Sequence, residues 1–168
     1  MILVLLGTQN NSFYRLLEEI EKNIDAGNIT DKVVVQAGFT KYNSDKMEIF
    51  DMIPQEELDG LIKEADLVIT HGGVGSIMSA VKAGKNVIAV PRLKKYGEHV
   101  NDHQLEIINT FKNQGIIIGI NDVAELAQAL SEVKLLGTRP KSFRTQQDNK
   151  IVQIIDDFIQ NDINKNKK

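Results

Sequence analysis

The chain has no cysteine, no long hydrophobic run and no excess of basic residues. Without cysteine, neither a disulfide nor a thiolate-ligated metal site can form. The formal net charge of −3 and a pI near 5.6 argue against a nucleic-acid-binding protein, because such proteins usually carry a basic surplus. Of the 168 residues, 42% are hydrophobic and 26% are charged, a composition that is ordinary for one globular domain with its own core.

The hydrophobic runs are too short for a membrane-spanning helix, which needs about 20 apolar residues. The first run, MILVLL, has six residues and is followed at once by Gly7. A signal peptide would begin with basic residues and would contain a longer apolar stretch. We therefore expect a cytoplasmic protein, in which any association with a membrane comes from the protein surface or from a partner.

Short apolar runs alternate with helical patterns along the chain. The predicted strands are residues 2–6, 32–36, 47–52, 67–70, 86–90 and 115–120. Runs that are apolar at every position are typical of strands buried on both faces, and their alternation with helices indicates a parallel sheet. The prediction is an α/β fold, a Rossmann-like parallel sheet of about six strands with helices on both faces.

Helix starts are predicted from residues that favour the first turn. They are Ser12 as an N-cap, Pro54 at a helix opening, and Asp122 as the first-turn acid of a helix through Leu130. A last helix is predicted through residues 151–158. Residues 1–160 are expected to form one domain, and the polar residues 161–168 a disordered tail.

Ligands of such sheets bind beyond the carboxyl ends of the strands, near the switch in strand order. The first loop at that edge is residues 7–12, GTQNNS. Free backbone amides at the start of the following helix, together with the helix dipole, favour an anion there. The alternative is a tight turn in which Ser12 is the N-cap of the following helix.

The second loop lies in THGGVGS, residues 70–76, where a buried strand ends and a helix begins. Its three glycines let the backbone approach a ligand, and its histidine and serine can donate hydrogen bonds to a phosphate oxygen. Neither the Rossmann spacing G-x-G-x-x-G nor the Lys-Ser/Thr pair of a P-loop is present, so the pattern predicts a phosphate cradle of another kind. The alternative is a glycine turn whose histidine is held by a backbone carbonyl.

The third loop is residues 91–104, PRLKKYGEHVNDHQ, with three cations and two histidines. Its last four residues, Asn101 to Gln104, offer paired donors and acceptors suited to sugar hydroxyls. The alternative is a solvated basic loop with Asn101 or Asp102 as an N-cap. His99 and His103 have the i, i+4 spacing of zinc ligands on one helix face, but without an HExxH or Asp-x-Asp pattern we expect no metal.

THGGVGS at 70–76, KAGKNVIAVPR at 82–92 and NDHQLEI at 101–107 resemble the donor-binding, C-terminal half of GT-B glycosyltransferases of family 28. The resemblance covers residues 1–160, and it is nearest to the small catalytic subunits of two-chain transferases. One type, in eukaryotes, adds the second N-acetylglucosamine to a dolichol-linked sugar. Another, in bacterial capsule and exopolysaccharide clusters, adds a hexose to an undecaprenyl-linked sugar, and VPRLKKYGEHVNDHQ is closer to this type.

The resemblance implies a role for each of three groups of residues. The nucleotide-diphosphate group is Gly7, Thr8, His71, Gly72, Gly73, Gly75 and Ser76. The uracil and ribose region is Phe50, Met52, Ile53 and Ser79, and the donor-sugar group is Asn101, Asp102, His103 and Gln104. His71 and Arg92 are the candidates that would stabilise the departing UDP charge.

Two positions depart from the pattern of the relatives. Ser79 stands where related enzymes usually carry a glutamate that binds the ribose hydroxyls, and a serine cannot make the same bidentate contact. Gln9, in GTQNNSF, stands where bacterial relatives often carry the histidine of GTHEQPF. Ribose recognition is therefore expected to be weaker or to be supplied from elsewhere, and any role of that histidine does not carry over.

The function implied is transfer of a hexose or N-acetylhexosamine from a UDP-sugar to a polyprenyl-diphosphate-linked sugar in exopolysaccharide or capsule biosynthesis. The reaction would invert the anomeric centre and would need no metal or other cofactor. The general base and the lipid-linked acceptor would belong to a membrane-anchored partner subunit, which would recruit this chain to the inner face of the membrane. Homodimers are a further hypothesis for the isolated chain.

Two other functions are considered. A non-catalytic regulatory module could bind a nucleotide in the same cradle, and the serine at position 79 favours this alternative. A UDP-sugar epimerase-like protein ranks third, because those enzymes need both halves of the GT-B fold in one chain.

Overall fold

The computed structural model describes residues 1–137, together with residues 153 and 157, which are helical. Three predictions lie outside the described residues: the rest of the helix through residues 151–158, the domain boundary at residue 160 and the tail at 161–168. Within the described part of the chain, no helix combines the length and the apolar character that crossing a membrane requires.

The described strands form one parallel sheet, as predicted. They are β1 (Ile2–Leu5), β2 (Val33–Gln36), β3 (Glu48–Phe50), β4 (Leu67–His71), β5 (Asn86–Val90) and β6 (Ile118–Gly119). Their order is β3-β2-β1-β4-β5-β6, and all neighbours pair in parallel. Strands β1, β2, β4 and β5 are buried at every position, which explains why their sequences are apolar runs without alternation.

Helices cover both faces of the sheet, which confirms the predicted architecture. They are α1 (Tyr14–Asp25), α2 (Gln55–Glu64), α3 (Val74–Lys82), α4 (His103–Asn113) and α5 (Leu126–Leu136). Buried residues of α1 and α5 pack with Ile2 and Val4 in one core cluster, whereas α3 packs on β4 and β5, and α4 on β6. Neighbouring strand residues point to opposite faces, so buried Leu3 and Leu5 belong to the second face.

The strand order places the first two predicted loops side by side. From β1 the chain continues to β2 on one side of the sheet, and from β4 it continues to β5 on the other side. Strands β1 and β4 are direct neighbours, with Leu5 paired to Thr70. This is the switch in strand order where ligands of open α/β sheets bind. The loops after β1 and β4 both leave the carboxyl edge at this point.

Three details of the predicted elements are wrong. Helix α1 has Phe13 rather than Ser12 as its N-cap, and the buried Phe13 donates its N–H to Thr40 Oγ1 at 2.9 Å. Asp122 is not a first-turn acid but the N-cap of a 3₁₀ turn that precedes α5, where it forms a capping box with Glu125. The last strand is only two residues long, because Gly115 and the following residue still close α4.

Candidate functional site

The imidazole of His71 lies between two glycine backbones at the switch point. A Cβ built on Gly7 would lie 2.6 Å from His71 Nε2, and a Cβ built on Gly73 would lie 2.4 Å from the same atom. Gly7 also has a φ of +78°, in the left-handed region that favours glycine. The glycine loops after β1 and β4 therefore meet at one histidine, at the switch in strand order.

The start of α3 faces this meeting point with free backbone amides. Gly73 is the N-cap and has no side chain, and Ile77 N–H is the first to bond back along the helix, to Gly73 O at 3.2 Å. The first-turn amides of Val74, Gly75 and Ser76 consequently have no partner within the helix. Together with the positive end of the helix dipole they favour an anion. Since α3 begins at Val74, Ser76 is a first-turn residue and not the cap.

Gly72 and Gln104 have a structural connection that the sequence did not reveal. Gln104 is buried, and its Oε1 accepts hydrogen bonds from Gly72 N–H and from Arg92 N–H, both at 3.0 Å. The Gly72 amide is therefore used inside the protein and does not face a ligand. Gln104 Oε1 joins the loop after β4 to the loop after β5, so only its amide nitrogen is left for a sugar.

His71 is neutral in the folded protein. Burial, and then the positive charge of Arg92, lower the pKa of His71 to about 4. Its Nδ1 lies 3.3 Å from Thr70 Oγ1, and the Thr70 hydroxyl already donates its hydrogen to Leu5 O at 3.2 Å, so we infer that the single hydrogen of the neutral ring is on Nδ1. Nε2, which faces the two glycines, then carries a lone pair, and His71 can donate from Nε2 only after it takes up a proton.

The lowered pKa of His71 predicts a loss of stability on mild acidification. The unfolded chain binds a proton near pH 6.5, whereas the folded chain does so only near pH 4. Between these values the unfolded state holds more protons, so the free energy of unfolding falls as the pH falls, by about 3 kcal/mol over the window. Denaturant unfolding at several pH values should show this component in the wild type and not in His71→Asn. Parallel pH profiles of the two proteins would contradict the assignment.

Arg92 does not lie where a leaving-group stabiliser would lie. Its side chain is fully buried, and its guanidinium donates to three carbonyls, Leu6 O and Asn11 O at 2.5 Å and Glu98 O at 3.3 Å. The guanidinium also stacks over the Phe13 ring at 5.2 Å. Arg92 therefore holds the loop after β1 from beneath, and the direct contact with UDP expected from the sequence does not fit its position.

A buried ion pair connects the loop after β5 to α1. Arg15 donates to both carboxylate oxygens of Glu98, from Nε at 2.8 Å and from Nη2 at 2.9 Å, and the Glu98 side chain is only 5% exposed. The same carboxylate accepts the Leu93 N–H at 3.0 Å, and Asn11 Nδ2 donates to Gly97 O at 2.8 Å. The first and third loops thus form one connected structure.

The predicted donor-sugar residues lie at the start of α4. Asn101 and Asp102 are exposed, and each side chain accepts one local backbone hydrogen bond, Asn101 from His103 N–H and Asp102 from Lys94 N–H. His99 precedes α4, so it does not share a helix face with His103 as zinc ligands would. Among the described residues there is no cluster of three or more potential His, Asp or Glu metal ligands.

The segment predicted to read the uracil is fixed beside the first loop. Gly38 N–H donates to Asp51 O at 2.7 Å, and a Cβ on Gly38 would lie 2.3 Å from Gly7 O. Phe50 and Met52 are exposed at this edge. Gly38 was not among the residues predicted from the sequence, although a glycine two residues after the buried strand β2 was a usable signal.

The remaining predicted residues lie around the same edge. Thr8 is exposed on the loop after β1, and Ile53 is half-buried just before α2. Ser79 is half-buried on α3, three residues after Ser76 and therefore on a neighbouring part of the same helix face. Contacts of these residues with a nucleotide stay predictions.

The fold is that of one half of a GT-B glycosyltransferase. The calicheamicin glycosyltransferase CalG4 superposes with a TM-score of 0.58 at 18% identity, over 91% of this chain and 38% of that one. MurG of Acinetobacter baumannii superposes with a TM-score of 0.54 at 18% identity, over 80% of this chain and 41% of that one. The model of the glycosyltransferase family 28 C-terminal domain matches residues 1–158, and the chain belongs to this family.

Curated relatives of the chain are fungal proteins called UDP-N-acetylglucosamine transferase subunit ALG13. The protein of Debaryomyces hansenii is 26% identical in an alignment of 137 positions, and the match covers 76% of this chain and 64% of the relative. The protein of Candida glabrata is 30% identical over 113 residues, 67% of this chain and 49% of the relative. The matches thus span less than two thirds of the relatives' own length.

Proposed function

We propose that the chain is the UDP-sugar-binding, catalytic subunit of a two-chain glycosyltransferase. The observation that carries the proposal is the cradle in which His71 lies between Gly7 and Gly73, in front of the free amides that begin α3. Membership of family 28 supports a sugar nucleotide as the ligand. The name of the fungal relatives, a transferase subunit, supports a partner chain.

In the proposed reaction, a hydroxyl of the acceptor attacks C1 of the donor sugar from the face opposite the diphosphate. The bond from C1 to the β-phosphate oxygen breaks, UDP leaves with the electron pair, and the hydroxyl proton passes to a base on the partner chain. The α3 amides and helix dipole would stabilise the charge on UDP without a metal. His71 would add a hydrogen bond after taking up a proton, which the negative ligand favours.

The donor and the acceptor are the finer part of the proposal. The donor would be a UDP-hexose or UDP-N-acetylhexosamine, and the acceptor a polyprenyl-diphosphate-linked sugar at the cytoplasmic face of a membrane. The motif VPRLKKYGEHVNDHQ favours the exopolysaccharide or capsule type, whereas the relatives' name favours UDP-N-acetylglucosamine as the donor. A membrane-anchored partner would hold the acceptor and recruit this chain.

The proposal predicts UDP binding by the chain alone and sugar transfer only with the partner. Calorimetry should give saturable binding of UDP at sub-millimolar concentration. Transfer from UDP-glucose, UDP-galactose and UDP-N-acetylglucosamine should then be assayed with and without a co-purified membrane subunit. UDP binding without transfer from any donor would favour the regulatory module instead, and the absence of saturable UDP binding would overturn the proposal.

A further inference from the structure

His99 reaches the first loop from a distant part of the chain. Its Nε2 lies 3.1 Å from Gln9 Nε2, although the two residues are 90 positions apart. The loop after β1 contains no histidine, and this contact places the imidazole of His99 beside that loop. His99 is half-buried, which leaves part of the ring open to a ligand.

The hydrogen-bond network orients the His99 ring. The Asn101 N–H donates to His99 Nδ1 at 3.3 Å, so Nδ1 is an acceptor. A neutral imidazole carries one hydrogen, which we therefore place on Nε2, the atom that faces the first loop. An amide nitrogen can only donate, so the Gln9 amide is assigned with Oε1 toward His99, where it accepts from Nε2–H. His71 is arranged in the opposite way, with its hydrogen on Nδ1 and a lone pair on the nitrogen that faces the glycines. Of these two imidazoles, His99 is thus the one with an N–H ready for an anion.

The backbone at His99 is held in place by its neighbour. Glu98 is buried, and its carboxylate accepts hydrogen bonds from Arg15 and from the Leu93 N–H, while its carbonyl accepts one from Arg92. A donor on such an anchored backbone loses little conformational entropy when it binds a ligand. The position of His99 is therefore fixed before any nucleotide arrives.

His99 lies near the same point as His71. His99 is among the groups that lower the pKa of His71, after burial and Arg92, which places the two rings within electrostatic reach of each other. The amides at the start of α3 follow the loop after β4, and His99 contacts Gln9 in the loop after β1. A diphosphate held between these two loops would meet donors from both.

We propose that His99 contacts the substrate, with its Nε2–H donating a hydrogen bond to the diphosphate of the UDP-sugar in place of its contact with Gln9. The inference rests on the proposed function and adds to it a residue outside the groups derived from the sequence. A hydrogen bond to a charged phosphate oxygen supports an affinity gain of roughly ten- to a hundredfold. His99 acts on the phosphates alone, so it should not affect binding of the nucleoside.

The test compares UDP and uridine on the full chain, by calorimetry and by NMR titration respectively. His99→Ala should weaken UDP binding tenfold or more and leave uridine binding unchanged. His99→Gln, which keeps an amide N–H near the same place, should retain much of the UDP affinity. Val100→Ala, at the exposed neighbouring position, is the control and should bind UDP within twofold of the wild type.

Each outcome decides the matter. UDP affinity unchanged in His99→Ala, or an equal loss of UDP and uridine, would overturn the inference while the proposed function stands. An equal loss of UDP affinity in His99→Ala and His99→Gln would overturn the assignment of Nε2–H as the donor. No UDP binding by the wild-type chain would overturn the proposed function and this inference with it.

Discussion

Gly73→Ala is expected to lower both the stability of the protein and its affinity for UDP. The new Cβ would lie 2.4 Å from Nε2 and 2.9 Å from Cε1 of His71, closer than Cβ atoms approach other atoms. The histidine ring is itself buried and bonded at Nδ1, so it cannot swing freely away. Overpacking of this kind costs about 1–3 kcal/mol. The φ of −79° is ordinary, so the effect is steric and not a backbone strain.

The expected loss of UDP affinity in Gly73→Ala is about tenfold or more, because a displaced ring occupies the space in front of the α3 amides. Thermal unfolding and calorimetry measure the two effects. Gly60→Ala is the matched control, since a Cβ at this position in α2 meets no atom within 4 Å and should stabilise the helix by about 0.5–1 kcal/mol. If Gly73→Ala melted and bound UDP as the wild type does, the close approach of Gly73 and His71 would be wrong.

Glu98→Ala is expected to cost about 3–5 kcal/mol of stability, because it removes the buried carboxylate that pairs with Arg15 and leaves Arg15 with the longer ion pair to Asp122 Oδ2, at 4.0 Å. Arg15, with 17% of its side chain exposed, would lose two charge-assisted hydrogen bonds, and the Leu93 N–H would lose its acceptor. Chemical denaturation measures the effect. The loop that carries His99 would also lose its ion pair with α1, so UDP affinity should fall with stability.

The control for Glu98→Ala is Glu48→Ala, in an ion pair with Lys32 whose side chains are 46% and 63% exposed. An exposed pair contributes about 0–1 kcal/mol, so this variant should be close to the wild type. The double variant Arg15→Met with Glu98→Met should recover part of the lost stability, since neither charge is then buried alone. Similar losses in Glu98→Ala and Glu48→Ala would contradict the buried character of the Arg15–Glu98 pair.

The sequence was sufficient for the fold because each inner strand is buried on both faces. A strand such as β1 or β4 can then be recognised from its own four or five residues, without knowledge of its neighbours. The glycines of the two loops were found for the same local reason, since they follow directly after such strands. Helix starts were less well predicted, because Phe13 caps α1 through tertiary contacts and not through a capping side chain.

The contacts that build the site could not be predicted from spacing along the chain. Arg15 and Glu98 are 83 residues apart, and Gln9 and His99 are 90 residues apart, so nothing in the local pattern links them. For the same reason Arg92 was expected at the ligand although it lies beneath the first loop. The tautomer of an imidazole likewise depends on partners that only the folded chain brings together.

The central claim is that the backbone N–H groups at the glycine-rich start of α3 bind the diphosphate of a UDP-sugar. A crystal structure of the chain soaked with UDP tests this claim most directly. The account predicts density for both phosphates over Gly73–Ser76, within hydrogen-bond distance of the amides of Val74, Gly75 and Ser76. UDP bound elsewhere on the domain, with these amides left free, would contradict it.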